Sequence, residues 1–156
     1  MSTINYRVFR SQFYIGPAAK AINESWKNLP LQNGLCISYD ADLPLQTVYA
    51  GGNQFVLLGT AIQSLPGQPA PIEVLQTLQK TANLPQLYAS WAGRWVLLAN
   101  NELHLDAGGL LGCYYKNGSN GMEVSSVPGL IMGCHQPDTF RLIKSGGAEF
   151  YPLPDT

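Results

Sequence analysis

RWVLLANNELHLDAGGLLGCYYKNGSNGMEVSS, residues 94–126, decides the fold class. RWVLLA (94–99), ELHLD (102–106), LLGCYYK (110–116) and MEVSS (122–126) are short apolar runs. Asn100-Asn101, Ala107-Gly108-Gly109 and the KNGSNG segment separate them, and these are turn residues. Four strands at a spacing of about 8–12 residues make the pattern of an antiparallel meander. Asp106 closes the second run. It reads as a turn carboxylate that hydrogen-bonds its own backbone. A general acid or base wants a second titratable group beside it. Strand alternation is expected to turn His104 away, which leaves an Asp106–His104 pair poor chemistry.

Upstream, NLPQLYASWAG (83–93) reads as a helix–turn entry into the first of these strands. IEVLQTLQKTA (72–82) is the strongest helix of the chain, started by Pro71 and carrying Glu73 in its first turn. SLPGQPAP (64–71) is a loop. NQFVLLGTAI (53–62) is apolar on both faces and belongs in the middle of a sheet. GLCISYD (34–40) and TVYA (47–50) are strands joined through Pro44, and Gly51-Gly52 turns the second into 53–62. AAKAINESWK (18–27) suits a short helix with Ile22 and Trp26 four apart, and INYRVFRSQFYI (4–15) alternates as a strand broken at Gly16-Pro17. Downstream, VPGLIM (127–132) suits a short helix. FRLIK (140–144) and AEFYPL (148–153) suit a closing hairpin over Gly146-Gly147. No repeat or linker interrupts the pattern, so residues 1–156 are expected to form one domain. Alternating βαβ units are absent, which argues against a doubly wound sheet. The prediction is α+β: a two-layer antiparallel β-sandwich flanked by helices.

At 156 residues and 46% hydrophobic composition the chain can bury a real core. Its net charge is -1, only 12% of residues are charged, and no Lys/Arg stripe exists, so nucleic acid is not an expected partner. No apolar run approaches the ~18 residues of a membrane span, so no membrane partner is expected. MSTINYRVFR lacks the apolar core of a secretory signal. Three cysteines, Cys36, Cys113 and Cys134, show no metal spacing, and the odd count fits a reducing cytoplasm. Neither a metal nor a cofactor is expected. The low charge fits either a face covered by another chain or domain, or an uncharged surface rich in Gln and Asn.

Nucleophile candidates are few. Cys134-His135 are adjacent, and working nucleophile–base pairs come from different segments with a third group orienting the base. Cys36 and Cys113 lie in apolar runs and read as core. Ser2, exposed by removal of Met1, could attack with its own amine as base, although a retained Met1 would block that amine. No phosphate loop, H-E-x-x-H, G-x-S-x-G or kinase set is present, and Gly108-Gly109 lies between strands rather than at a helix start.

Beyond these residue-level signals, SWAGRWVLL, LHLDAGGLLGCYY and VSSVPGLI, in that order, resemble the glutamine-hydrolysing N-terminal domain of asparagine synthetase and other class II glutamine amidotransferases. Trp91-Ala92-Gly93-Arg94-Trp95-Val96 stands where that family has L-D-G-x-F-A-F. Asp106, Gly109, Tyr114 and Tyr115 fall on its R-D-x-x-G-x-[RK]-P-L-Y-Y block, and Ser126 on its A-S-E strand end. FVLLGTAI (55–62) occupies its V-N-G-E-I-Y strand, with Gly59 at the glycine. The likeness spans about residues 53–132, and the N-terminal third fits only as generic strands. It is closer still to the divergent domain of asparagine synthetase-like proteins from polysaccharide and peptide-modification clusters, through G-R-[FW]-V-L at 93–97, D-A-x-G at 106–109 and S-x-P-x-L-I at 126–131. The closing FYPLPDT is similar to the segment leading to an ATP-using synthetase domain, which implies an N-terminal domain of a longer protein or a split subunit.

The resemblance implies an N-terminal-nucleophile fold and glutamine hydrolysis, yet the working residues differ. Ser2 stands in place of the N-terminal cysteine. Leu58 replaces the pocket asparagine, Ala92 replaces the aspartate that binds the substrate amino group, and no arginine after residue 34 matches the carboxylate-gripping one. Each lost charge-assisted hydrogen bond is worth roughly 1.5–3 kcal/mol. Leu58, Gly59, Ala92, Gly93 and Asp106 would then outline a relict pocket. The implied function is a catalytically inactive binding or scaffolding domain for an asparagine synthetase-like ATP-dependent partner or for itself, with Trp26, Tyr39 and Tyr49 as contact candidates. The alternatives are an N-terminal serine amidohydrolase using Ser2, and a peptide or small-molecule binding module at the relict pocket.

Overall fold

A computed structural model describes residues 11–78, 83–131, 141–142 and 151–152. These form two compact units, one drawing on residues 11–43 and 112–131 with the two short C-terminal strands, the other on Pro44–Leu111.

The first unit is built on a seven-stranded antiparallel sheet. Its strands are β1 (Phe13–Gly16), β2 (Trp26–Pro30), β3 (Cys36–Asp40), β8 (Tyr114–Gly118), β9 (Gly121–Ser125), β10 (Arg141–Leu142) and β11 (Tyr151–Pro152), in the order β11-β10-β8-β9-β1-β3-β2. Register brings Tyr114, Ser125, Tyr14, Ser38 and Asn28 into one row across five strands. On the same face Tyr14, Trp26, Leu130 and Ile131 pack together, joined by Ile22, Tyr114 and Val127. The opposite face carries Phe13, Ile15, Ile37 and Val124, all buried.

The second unit is a four-stranded antiparallel sheet, order β4-β5-β6-β7, from β4 (Leu45–Ala50), β5 (Asn53–Gln63), β6 (Trp91–Ala99) and β7 (Glu102–Leu105). β5 is the long central strand that its two-faced apolarity predicts. Phe55 and Leu57 share one face with Trp95, Leu97 and Ala99, under α1 (Pro71–Gln76) and α2 (Leu84–Tyr88), which add Leu75, Leu84 and Leu87. Val56, Leu58, Val96 and Leu105 bury the other face. Local signals place the ends of these elements. Asn100 and Asn101 both take positive φ, 51° and 64°, as a two-residue turn between right-twisted strands requires. Pro71 opens α1, and the Glu73 carboxylate accepts the Ala70 N–H at 2.9 Å. The Asn83 side-chain oxygen Oδ1 accepts the Gln86 N–H and caps α2.

The helix-flanked sandwich is not what forms. The described residues are mostly β-sheet in two antiparallel sheets, with few helices among them. Residues 18–25 make bends and turns instead of a helix, and Trp26 already belongs to β2. Side chains there offer the backbone better partners than a helix would. Asn23 Oδ1 accepts the Ser25 N–H at 2.9 Å, and the Lys20 N–H donates to Ser38 Oγ at 2.8 Å. α1 stops at Gln76, where Thr77 caps it, and residues 79–82 lie outside the described set. Of the segment 127–132 the described residues 127–131 contribute a 3-10 turn at Pro128–Leu130 in place of the expected helix, and residue 132 lies outside the described set. The four strands of 94–126 do not form one meander either. β6 and β7 pair in the four-stranded sheet, β8 and β9 in the seven-stranded one, because the chain turns away from β7 at Asp106. The 4–15 strand is seen from Phe13 on, residues 1–10 lying outside the described set. Of the closing hairpin, the β10–β11 pairing is present.

Candidate functional site

The five residues assigned to a relict pocket lie on β5, β6 and the end of β7. Leu58 pairs with Val96 and is fully buried. Ala92 pairs with Ile62, four residues or about 13 Å further along the ribbon, and is exposed. Leu58 and Ala92 therefore do not meet at one point. Gly59 and Asp106 do converge, on Trp95. Gly59 is the in-register partner of Trp95, the Asp106 N–H donates to the Trp95 carbonyl at 3.2 Å, and the Trp95 N–H donates to Asp106 Oδ2 at 3.3 Å. At Gly59 and Gly93 the two strands cross too closely for any side chain. A Cβ on Gly59 would lie 2.2 Å from the Arg94 carbonyl oxygen, and one on Gly93 would lie 2.2 Å from that of Thr60. Both take positive φ, +85° and +114°.

Asp106 is 2% exposed, and its carboxylate is filled by its own turn. Oδ1 accepts the Gly108 N–H at 2.9 Å and the Leu110 N–H at 3.1 Å. Oδ2 lies 3.0 Å from the Leu110 N and also accepts from Trp95. The Asp106 carbonyl accepts the Gly109 N–H at 2.9 Å. Every one of these bonds closes the D-A-G-G-L turn or ties it to β6. Asp106 is a turn residue, as its place between a strand and two glycines predicts.

His104 stands apart from Asp106 for a reason other than strand alternation. Residues two apart share a face, so the expected turning-away does not occur. The separation comes instead from the strand ending at Leu105 and from partners elsewhere. His104 Nδ1 lies 3.2 Å from the Tyr88 hydroxyl, and Nε2 lies 3.5 Å from a Glu102 carboxylate oxygen without forming a hydrogen bond to it. Tyr88, Trp91, Trp95 and His104 pack as one aromatic group. Tyr88 meets Trp95 at 5.3 Å and Trp91 meets Trp95 at 5.6 Å, both edge-on, and Tyr88 meets His104 at 5.4 Å. Such pairs add about 0.5–1.5 kcal/mol beyond their burial. The sequence shows the tryptophans but not this group, since Tyr88 arrives from α2 and His104 from β7.

Burial lowers the His104 pKa below its ordinary 6.5, with the Glu102 charge opposing in part. Burial also raises that of Tyr88. Both rings are neutral at pH 7, and neither is activated. A depressed histidine pKa has a defined sign. Below about pH 6.5 the unfolded chain binds a proton that the folded chain resists, so stability falls as pH drops through that window. Urea midpoints followed by tryptophan fluorescence at pH 7.5 and 5.5 should show a larger acid loss for wild type than for His104→Leu. Equal losses would show that His104 does not carry it.

No family model, curated protein or solved structure matches this chain.

The remaining candidates of the first unit have structural partners. Ser126 Oγ accepts the Phe13 N–H at 2.9 Å, and Ser125 Oγ donates to the Phe13 carbonyl at 3.0 Å and accepts the Val127 N–H at 3.1 Å. The Tyr14 hydroxyl donates to Glu123 at 2.5 Å, and Lys20 Nζ sits 4.2 Å over the Tyr14 ring while donating to the Leu130 carbonyl. Burial first, and the Glu123 bond second, raise the Tyr14 pKa, so its phenol holds its proton. Cys113 is fully buried and its thiol is pushed up to about 12, far from a thiolate at neutral pH. Cys36 is part-buried on β3. Ser2, Cys134 and His135 lie outside the described residues. Among the described residues no three His, Cys, Asp or Glu side chains gather as a metal site, and no helix is long and apolar enough to cross a membrane. Of the contact candidates, Trp26 is buried, Tyr39 is part-buried and Tyr49 is 64% exposed. Ile62, Leu65 and Leu110 are exposed as well, and the sequence reading did not single them out.

Proposed function

We propose that this chain is a non-catalytic binding or scaffolding module whose partner is an ATP-dependent asparagine synthetase-like protein. The observation that carries the reading is Asp106. The buried carboxylate best placed by the sequence to do chemistry accepts N–H groups from Trp95, Gly108 and Leu110 instead. Its neighbours are equally committed, with His104 against Tyr88 and Gly59 against the Arg94 carbonyl. Leu58 puts buried hydrocarbon where the resembling family places an amide. The exposed apolar side chains of Tyr49, Ile62, Leu65 and Leu110, on a chain with only 12% charged residues, favour a surface that meets another protein.

The test is ammonia release from glutamine by the purified chain, beside a Ser2→Ala variant and a protein-free blank. All three should agree. Turnover by the wild type that disappears in Ser2→Ala would replace this reading with an N-terminal serine hydrolase. Co-elution with a purified ATP-dependent asparagine synthetase-like protein is the positive arm, and separate elution would remove the proposed partner.

A further inference from the structure

We propose that β4 is a self-complementary edge through which two copies of this chain pair, antiparallel, about Thr47. β4 hydrogen-bonds β5 on one side, and among the described residues nothing pairs with its other side. Exposed strand edges are templates for another strand, and natural edges are guarded by charge, proline, a bulge or brevity. β2 carries Lys27 and Pro30. β7 is four residues long and begins with Glu102. β4, Leu-Gln-Thr-Val-Tyr-Ala, has no charge and no proline, and its register with β5 runs unbroken from Leu45↔Leu58 to Ala50↔Asn53.

The turn settles which backbone groups face outward. Gly51 and Gly52, at φ 58° and 80°, make a two-residue turn of the primed type. In such a hairpin the flanking residues, Ala50 and Asn53, bond each other. Hydrogen-bonded pairs alternate along an antiparallel ladder. Val48 and Gln46 then also bond toward β5, and the N–H and C=O groups of Leu45, Thr47 and Tyr49 point away from it.

A twofold axis through Thr47 brings those three residues against the same three of a second copy, with Leu45 opposite Tyr49, Thr47 opposite itself and Tyr49 opposite Leu45. Roughly six hydrogen bonds would form between the chains. Leu45, Thr47 and Tyr49 share the face opposite Val48, which is buried with the helices. Each Tyr49, now 64% exposed, would cover the Leu45 of the other copy. An axis through Val48 would align only Thr47 with Tyr49 and form fewer bonds. The edge bears no charge that would select an oppositely charged partner, whereas its own copy matches it group for group. One strand pair buries less than the about 1,200–2,000 Å² of a standard stable interface, so the association is weak and concentration-dependent.

Sedimentation velocity from micromolar to sub-millimolar protein tests this. The wild-type mass should rise from 17.0 kDa toward twice that value. Thr47→Lys places like charges directly opposite and should weaken association at least tenfold, as should Thr47→Glu. An equimolar mixture of the two variants should associate again, which only a pairing of residue 47 with itself predicts. A wild type that stays monomeric throughout, or variants that associate as it does, would overturn the proposal. Should either variant fail to fold, amide exchange in the wild type decides. The Leu45, Thr47 and Tyr49 amides should gain protection as concentration rises, and unchanged exchange would overturn the proposal equally.

Discussion

Asp106→Ala should lower the free energy of unfolding by about 3–5 kcal/mol. Removing the carboxylate leaves the N–H groups of Trp95, Gly108 and Leu110 without their acceptor. A hydrogen bond to a charged group contributes about 1.5–3 kcal/mol, and a buried donor left unpaired costs about 1–3 kcal/mol. Water entering the opened turn recovers part of this, so the losses do not add in full. Asp106→Asn keeps one oxygen for Gly108 but turns an NH2 group toward donors, and should fall between alanine and wild type. Urea denaturation measures both. A catalytic carboxylate held under strain would behave in the opposite way, its removal leaving stability unchanged or raised. A change below about 1 kcal/mol for the alanine variant would therefore remove the turn assignment on which the non-catalytic reading rests.

Gly59→Ala should cost at least about 3 kcal/mol and is, with Gly93→Ala, among the substitutions most apt to unfold the second unit. The left-handed backbone at φ +85° alone costs an alanine about 1–2 kcal/mol. The rest is overlap. The new Cβ would stand 2.2 Å from the Arg94 carbonyl oxygen and 3.2 Å from the Trp95 Cα, both backbone atoms of β6. Gly59 cannot retreat, because its N–H donates to the Pro44 carbonyl at 2.8 Å on the β4 side. Gly34→Ala is the matched control, with φ +84° and no atom within 4 Å of the added carbon. It should show the conformational cost alone. If the two variants lost equal stability in the same denaturation experiment, the close strand crossing would not be what selects glycine at position 59.

Several features were legible because they are local. Asn100-Asn101 and Gly51-Gly52 announce hairpins through the φ values that only such residues adopt readily. The unbroken apolar run Phe55–Leu58 announces a strand buried on both faces, and Asp106 before two glycines announces an Asx-type turn. The failures share a cause. Ile22 and Trp26 stand four apart as a helix would place them, yet Trp26 pairs with Asp40 in a sheet and Lys20 is held by Ser38. Periodicity registers spacing along the chain and carries no information about which strand waits alongside. The candidate site fared similarly. Leu58 and Ala92 look like two walls of one pocket when aligned by motif, but a 3.3 Å rise per residue sets them about 13 Å apart on one ribbon. The Tyr88–His104 contact unites residues from different elements, so no single segment contained it.

The sequence by itself determined several of the turns, the central strand at 53–63 and that Asp106 serves a turn, because dihedral preference, side-chain alternation and a carboxylate's reach to its own backbone are short-range; it did not place β2, read as helix, or β8, which starts at Tyr114 rather than Leu110. Only the tertiary structure decided which sheet each strand joins, that β7 and β8 part company, and what surrounds His104, Tyr14 and Trp26. Those outcomes depend on bonds such as Tyr14 to Glu123, 109 residues apart, and on burial, which belongs to the packed chain and to no segment of it.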